Sequence, residues 1–340
     1  MANPPLIFLV GYYGHGNAGD ELILRLLRGA LSSASVRYLS GPRPSGPGAV
    51  SRNSLRAAVR AAREAHALVL GGGELFQTRT SRRSLAAYLM WPTLFSIQRK
   101  PFWVFGVGVD PDLPAPALRA TAAVLRRARR VWVRDAASQA ALARHGVAST
   151  RMEDAVWALP VPEALPAPPA GARRRVLWIP RFPDGSETVR RLASLLDGLP
   201  DVDHALLGLH PAHDDVFLEE LRHTRRGPTS LCRADDPEGL FRAVAEADVV
   251  VSMRYHGVVL AALAGRPTVA LAAHGKVADL AVDLGIPVLR SPGCSAGGLS
   301  DALRDAVAVS AAVTASRRDA ARTALEGLRR ELSSMLSEKL

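Results

Sequence analysis

Cysteine is scarce in this chain of 340 residues: Cys232 and Cys294 stand far apart, and neither belongs to a pair with metal-site or redox spacing. Both are expected to be reduced and structurally neutral, which turns attention away from disulfide scaffolds and dithiol chemistry. No apolar stretch approaches the roughly 20 residues that a membrane-spanning helix needs. The N-terminal residues lack the charged segment and cleavage site of a signal peptide, so a cytoplasmic location is expected. Aromatic residues are few, at 5%. The basic clusters at Arg126–Arg130, Arg173–Arg175 and Arg329–Arg330 have no aromatics interleaved, which argues against a nucleic-acid partner. Lysine is also rare; arginine supplies nearly all of the positive charge.

What is present is apolar and basic. Hydrophobic residues make up 48% of the chain and the formal net charge is +11. The length suffices for two α/β domains, each with its own core. The charge by itself favours anionic partners, whether a phosphorylated small molecule, nucleic acid or an anionic membrane surface, and the bare basic clusters weigh against the second.

Strand-like runs alternate with helical periods through the first 150 residues, at Leu6–Val10, Val36–Leu39, Ala67–Leu70, Phe102–Val107 and Val131–Arg134. A second series follows at Val176–Ile179, Ala205–Leu209, Val249–Ser252, Thr268–Leu271 and Val288–Leu289. Such alternation is the mark of parallel βαβ units. Between the series lies a Pro/Ala-rich stretch that can hold neither helix nor central strand. The expected organisation is an N-terminal Rossmann-like domain over 1–160, a linker over 161–174, a C-terminal Rossmann-like domain over 175–310 and a C-terminal helix over 311–340. The two doubly wound domains are expected to face each other across a cleft, with ligands at the carboxyl ends of the strands.

Three loops and one strand end carry the candidate chemistry. Val10 to Glu21 reads Val-Gly-Tyr-Tyr-Gly-His-Gly-Asn-Ala-Gly-Asp-Glu between a strand and an amphipathic helix. It fits neither the dinucleotide fingerprint nor a P-loop. It is either an anion site at a helix start, built from Gly16, Asn17 and Gly19, or a tight turn with Asp20 capping the helix. The run Gly71-Gly72-Gly73-Glu74-Leu75-Phe76-Gln77 ends another strand and leads into a hydroxyl- and arginine-rich segment that includes Arg82. Consecutive glycines there imply a sharp bend or close approach to a ligand, and Gly72, Gly73, Glu74, Gln77 and Arg82 become substrate-binding candidates. Arg254 and His256 emerge together after the Val249–Ser252 strand. The arginine can fork onto a carboxylate or phosphate, and the histidine can move a proton. Arg181 likewise follows a strand. His210-Pro-Ala-His-Asp-Asp215 has the look of metal ligands but lacks the helical repeat and third ligand of a zinc site, so no metal is expected.

Taken in order, the Gly-Tyr-Tyr-Gly-His-Gly-Asn-Ala-Gly-Asp-Glu loop, the Gly-Gly-Gly-Glu-Leu-Phe-Gln segment, Val133-Arg134-Asp135 and Met253-Arg-Tyr-His256 followed by Ala264-Gly-Arg-Pro267 resemble the polysaccharide pyruvyltransferases, specifically the CsaB type. The resemblance spans about residues 6–290. It departs from the family pattern at Tyr255, where Leu is usual, at Glu74, where Ser is usual, and around Pro180-Arg181-Phe182.

The resemblance implies a GT-B-like fold, phosphoenolpyruvate as donor and no cofactor. It implies Arg254 and Arg181 as donor ligands, His256 as general acid, and Asp20 or Glu74 as the group that takes a hydroxyl proton. The C-terminal domain would be the donor side and the N-terminal domain the acceptor side. The acceptor would be N-acetylmannosamine of a secondary cell-wall polymer, presented as a lipid-linked precursor at the inner membrane face, and the product a cyclic pyruvate ketal that S-layer homology domains bind. A basic surface suits peripheral contact with that membrane. The competing readings are a GT-B glycosyltransferase that uses a nucleotide sugar, and a non-catalytic anion-binding protein of envelope assembly.

Overall fold

Apolar runs that end in glycine or in polar residues build the central strands of two parallel sheets in the computed structural model, which describes residues 4–337 apart from 42–43, 45, 169–172, 235 and 274. The chain divides into two compact units, Met1–Leu159 with Arg317–Leu340, and Pro160–Ser316. The first contains β1 (Leu6–Val10), α1 (Ala18–Ala30), β2 (Ser35–Ser40), β3 (Ala49–Ser51), α2 (Leu55–Glu64), β4 (Ala67–Gly71), α3 (Arg82–Ile97), β5 (Phe102–Val107), α4 (Ala115–Leu125), β6 (Arg130–Val133), α5 (Ala136–Ala143) and β7 (Thr150–Arg151). The second contains β8 (Arg174–Ile179), α6 (Ser186–Asp197), β9 (Val202–Leu207), α7 (Pro211–Thr224), β10 (Thr229–Cys232), α8 (Pro237–Ala245), β11 (Val249–Ser252), α9 (Tyr255–Leu263), β12 (Thr268–Ala272), α10 (Gly275–Leu284), β13 (Val288–Arg290) and α11 (Ala296–Arg304). Last comes α12 (Ala311–Ser337).

Every strand named from the sequence forms. β4, β5, β11 and β12 are buried along their whole length, as strands covered by helices on both faces must be. The sheet orders are β3-β2-β1-β4-β5-β6-β7 and β10-β9-β8-β11-β12-β13, with parallel pairing throughout. Each unit is therefore doubly wound, and the strand order reverses direction between β1 and β4 in one and between β8 and β11 in the other. In-register pairing of Val10 with Leu70 and of Ile179 with Ser252 brings the loops after these strands out side by side. Ligands of open α/β sheets bind at such reversals, outside the carboxyl ends.

In the first unit Phe8, Val10, Leu68, Leu70, Phe102 and Val104 pack against helical residues such as Ala62, Trp91 and Phe95. In the second, Trp178, Val189, Leu192, Leu206, Val251 and Leu299 form the equivalent layer. The residues of α12 from Arg317 onward belong to the first unit. Glu331 accepts from Trp103 Nε1 at 2.7 Å and from Arg130 at 2.8 Å, and Arg317 pairs with Glu153 at 2.7 Å over the Trp157 ring. Of the linker expected over 161–174, residues 161–168 hold no helix or strand, 169–172 lie outside the described residues, and Arg174 already belongs to β8. The last three residues of the expected C-terminal helix, 338–340, also lie outside them.

Candidate active site

The N-terminal group assembles where β1 and β4 end. Asn17, not Asp20, caps α1: its side chain accepts from the Gly19 N–H at 3.3 Å. Asp20 sits inside the first turn, where the helix dipole favours a carboxylate, so the expectation that Asp20 is the cap is corrected. The cap lies three residues earlier because the chain turns helical at Ala18. Glu21 holds the preceding loop, accepting from the Gly14 N–H at 2.7 Å and the Gly16 N–H at 3.3 Å. Gly73, at φ +74°, lies against Asp20: a β-carbon there would come within 2.8 Å of Asp20 Oδ1. Gly72 faces Ile23 of α1 in the same way. Gly16, Asn17, Gly19, Asp20, Gly72 and Gly73 thus form one cluster.

Aromatic rings complete that cluster. Tyr13 is fully buried and its hydroxyl donates to the Gly71 carbonyl at 2.5 Å. Tyr12 is 36% exposed and stacks on His15 with ring centroids 4.2 Å apart. Burial, followed by the charge of Asp20, raises the Tyr12 pKa, and Arg52 opposes the shift. Arg52 is anchored through a 2.7 Å bond from Nη2 to the Gly11 carbonyl and lies over Tyr88. None of these aromatics, nor Arg52, was singled out from the sequence as a site residue.

Glu74, Gln77 and Arg82 take other positions. Glu74 pairs with Arg79 and, at 3.5 Å, with the nearly buried Arg134. Arg79 also bridges to Asp110 at 3.1 Å, and Arg134 to Asp135 at 3.6 Å. This charge network joins the ends of β4, β5 and β6. Gln77 is engaged within its own loop, donating to Thr80 Oγ1 at 2.8 Å and accepting from the Thr80 N–H at 3.0 Å. Arg82 is exposed at the first position of α3.

The C-terminal group lies where β8 and β11 end. Arg254 occupies the N-cap position of α9 and His256 the second helical residue. Ser252 Oγ accepts from the Arg254 N–H at 3.1 Å and donates to the Arg254 carbonyl at 2.9 Å, which fixes the turn. The Arg254 guanidinium donates from Nε to the Pro180 carbonyl at 2.9 Å and from Nη2 to Asp214 Oδ1. Burial lowers the Arg254 pKa, the charge of Asp214 opposes that, and the nearby Arg181 lowers it further. Arg181 and Arg254 therefore share one electrostatic environment. The His256 ring meets Tyr255 edge-on at 5.5 Å. At Gly257 a β-carbon would approach Ser252 Oγ to 2.3 Å, so α9 starts directly on the strand ends.

The structure gives the His210–Asp215 segment a different meaning from metal binding. Asp214, fully buried, bonds the Arg254 side chain and accepts from the His210 N–H at 2.9 Å. Among the described residues no group of three His, Cys, Asp or Glu is placed to hold a metal ion. Asp214 lies inside α7, beyond the end of β9, and the sequence drew notice to its segment only through the look of metal ligands.

Comparison with solved structures defines the fold class. HepE of Anabaena in complex with UDP and glucose aligns with a TM-score of 0.59 at 16% identity, over 97% of this chain and 100% of that one. UDP-GlcNAc 2-epimerase of Methanocaldococcus jannaschii aligns at 0.58 and 10% identity over 97% and 99%, and MurG of Acinetobacter baumannii at 0.52 and 11% over 98% and 100%. At these identities the likeness shows the fold alone, a two-domain α/β architecture of the GT-B type. Among curated proteins none matches. The family model for polysaccharide pyruvyl transferases matches residues 17–275, and the chain belongs to that family. It is an enzyme of polysaccharide pyruvyl transfer, acting on a glycan acceptor. No helix among the described residues is long and apolar enough to cross a membrane.

Proposed function

We propose that the enzyme transfers the pyruvyl group of phosphoenolpyruvate to two hydroxyls of one sugar and leaves it as a cyclic ketal. The observation that carries this is the pair Arg254 and Arg181 at the β8/β11 reversal, with His256 two residues beyond Arg254. Phosphoenolpyruvate carries a carboxylate and a phosphate, and two guanidinium groups with one buried carboxylate beside them leave an excess of positive charge for such an anion. The start of α9 adds its dipole.

The steps follow from the residues. His256 donates a proton to the vinyl C3, and C2 takes on oxocarbenium character. One sugar hydroxyl adds to C2, the C2–O bond to phosphate breaks, and a second hydroxyl closes the ring. The two hydroxyl protons balance the reaction: one replaces the proton spent on C3 and the other leaves with phosphate. On the acceptor side Asp20, which lies against Gly73 and whose charge reaches Tyr12, is the group that takes a hydroxyl proton. Glu74, already engaged by Arg79 and Arg134, is better suited to shaping the acceptor site. No cofactor is needed, because the leaving phosphate drives the transfer.

For the acceptor, the motifs of the CsaB type support N-acetylmannosamine of a secondary cell-wall polymer, so that the ketal anchors S-layer proteins. A lipid-linked precursor would present that sugar at the cytoplasmic face of the membrane, which the net charge of +11 would attract. Donor titration is the test. Phosphoenolpyruvate should protect the protein from thermal unfolding, and UDP-sugars should not; protection by a UDP-sugar alone would reverse the reading in favour of glycosyl transfer.

A further inference from the structure

Asp214 is unusual among the charged groups near the proposed donor site. It is the fourth residue of α7, its side chain is completely buried, and each carboxylate oxygen has its own task. Oδ2 accepts from the His210 N–H at 2.9 Å and so closes the start of α7, where the N-cap residue His210 supplies no side-chain cap. Oδ1 accepts from Arg254 Nη2 and stands 3.5 Å from His213 Nδ1. Gly208 makes the approach possible: a β-carbon there would press on Asp214 Cβ at 3.1 Å and on Leu218 at 3.0 Å.

A structural cap needs only one of these oxygens. The second reaches from α7 to the β11 end and fixes the guanidinium against the carbonyl of Pro180, the residue that follows β8. With Nε and Nη2 both held on the protein side, the plane of the guanidinium is set, and Nη1, which has no hydrogen-bond partner among the described residues, is left for a ligand. A guanidinium fixed in this way loses little freedom when it takes up an anion. A buried carboxylate without such a partner would be costly, so the pairing also explains why Asp214 tolerates full burial.

We infer that Asp214 is a positioning residue for the donor: it pre-orients Arg254 so that the free edge of the guanidinium engages one anionic group of phosphoenolpyruvate. The inference rests on the donor reading proposed above. Asp214 does not touch substrate and acts through Arg254 alone.

The experiment is a double-mutant cycle of Asp214→Asn and Arg254→Lys, with KM for phosphoenolpyruvate, KM for the glycan acceptor and kcat measured in each. Asn keeps one carbonyl oxygen for the His210 N–H and loses the charge that fixes Arg254. The expected result is a rise of about tenfold or more in donor KM for Asp214→Asn, with acceptor KM within about twofold of wild type. In the Arg254→Lys background Asp214→Asn should add no more than about twofold, since its partner is already lost. If Asp214→Asn does not fold, Asp214→Ser keeps a hydroxyl acceptor near the same N–H and takes its place with the same expectations. A folded Asp214 variant with wild-type donor KM, or one that raises donor and acceptor KM alike, overturns the inference while leaving the donor reading intact. A wild-type enzyme that turns over no phosphoenolpyruvate overturns both.

Discussion

At the scale of single residues, the proposed donor side makes the sharpest demands. Arg254 is held by Pro180 and Asp214 in a fixed plane, and a lysine ammonium cannot reproduce that fork. Arg254→Lys should lower kcat/KM for phosphoenolpyruvate by roughly ten- to a hundredfold, the worth of one charge-assisted hydrogen bond. Steady-state kinetics at limiting donor measure this, and an unchanged value would remove Arg254 from the donor site. His256→Gln should retain donor binding and lose roughly two to four powers of ten in turnover, as expected for a missing general acid. Thermal protection by phosphoenolpyruvate, measured beside kcat, separates the two effects. Turnover within a few-fold of wild type would send the search for the proton source elsewhere. Asp20→Asn is now a cleaner test of proton transfer than the sequence implied. Because Asn17 caps α1, the variant leaves the cap in place, and a loss of turnover in a protein of near wild-type stability would mark Asp20 as a participant in the chemistry.

At the scale of elements, the central strands were legible because burial on both faces writes them as apolar runs, such as Val249–Ser252 and Phe102–Val107. β3, β7 and β10 were not. Ala49–Ser51, Thr150–Arg151 and Thr229–Cys232 lie at sheet edges, are short, contain no buried residue and carry no periodic signal. The candidate site shows the same division. Gly72, Gly73, Arg254 and His256 stood out because each interrupts or follows an apolar run. Asp214, Arg52 and Tyr12 did not, because their importance comes from what another strand places beside them. The cap of α1 was misplaced by three residues for a local reason: Asn17 and Asp20 are both good caps, and only the backbone tells which one precedes the first turn. Asn17→Ala should therefore cost about 0.5 to 2 kcal/mol of stability in urea unfolding, and a cost indistinguishable from zero would mean that the cap is not felt.

At the scale of the whole molecule, stability should depend on pH through His204. This histidine is buried between Trp178, whose indole Nε1 donates to Nδ1 at 3.0 Å, and the Leu199 carbonyl, 3.1 Å from Nε2. An Nδ1 that accepts leaves Nε2 as the donor, so the ring is neutral. Burial is the main reason that its pKa falls from 6.5 to about 4, with the Leu199 carbonyl opposing the shift. Between those values the unfolded chain binds a proton that the folded chain refuses, so stability rises with pH across the window. The contribution is complete above about pH 6.5 and is lost progressively as pH falls toward 4. Urea midpoints for wild type and His204→Gln should diverge in slope over this range, with the variant flatter; parallel curves would contradict the assignment.

The central claim is that phosphoenolpyruvate gives its pyruvyl carbons to a sugar in the presence of this enzyme. The most direct measurement supplies carbon-labelled phosphoenolpyruvate and a synthetic N-acetylmannosamine-terminated acceptor, then follows label and inorganic phosphate together. Label is expected in the glycan as an acid-labile cyclic ketal, with one phosphate released for each pyruvyl group transferred. Label that remains in phosphoenolpyruvate while the same acceptor is extended from a nucleotide sugar would contradict it.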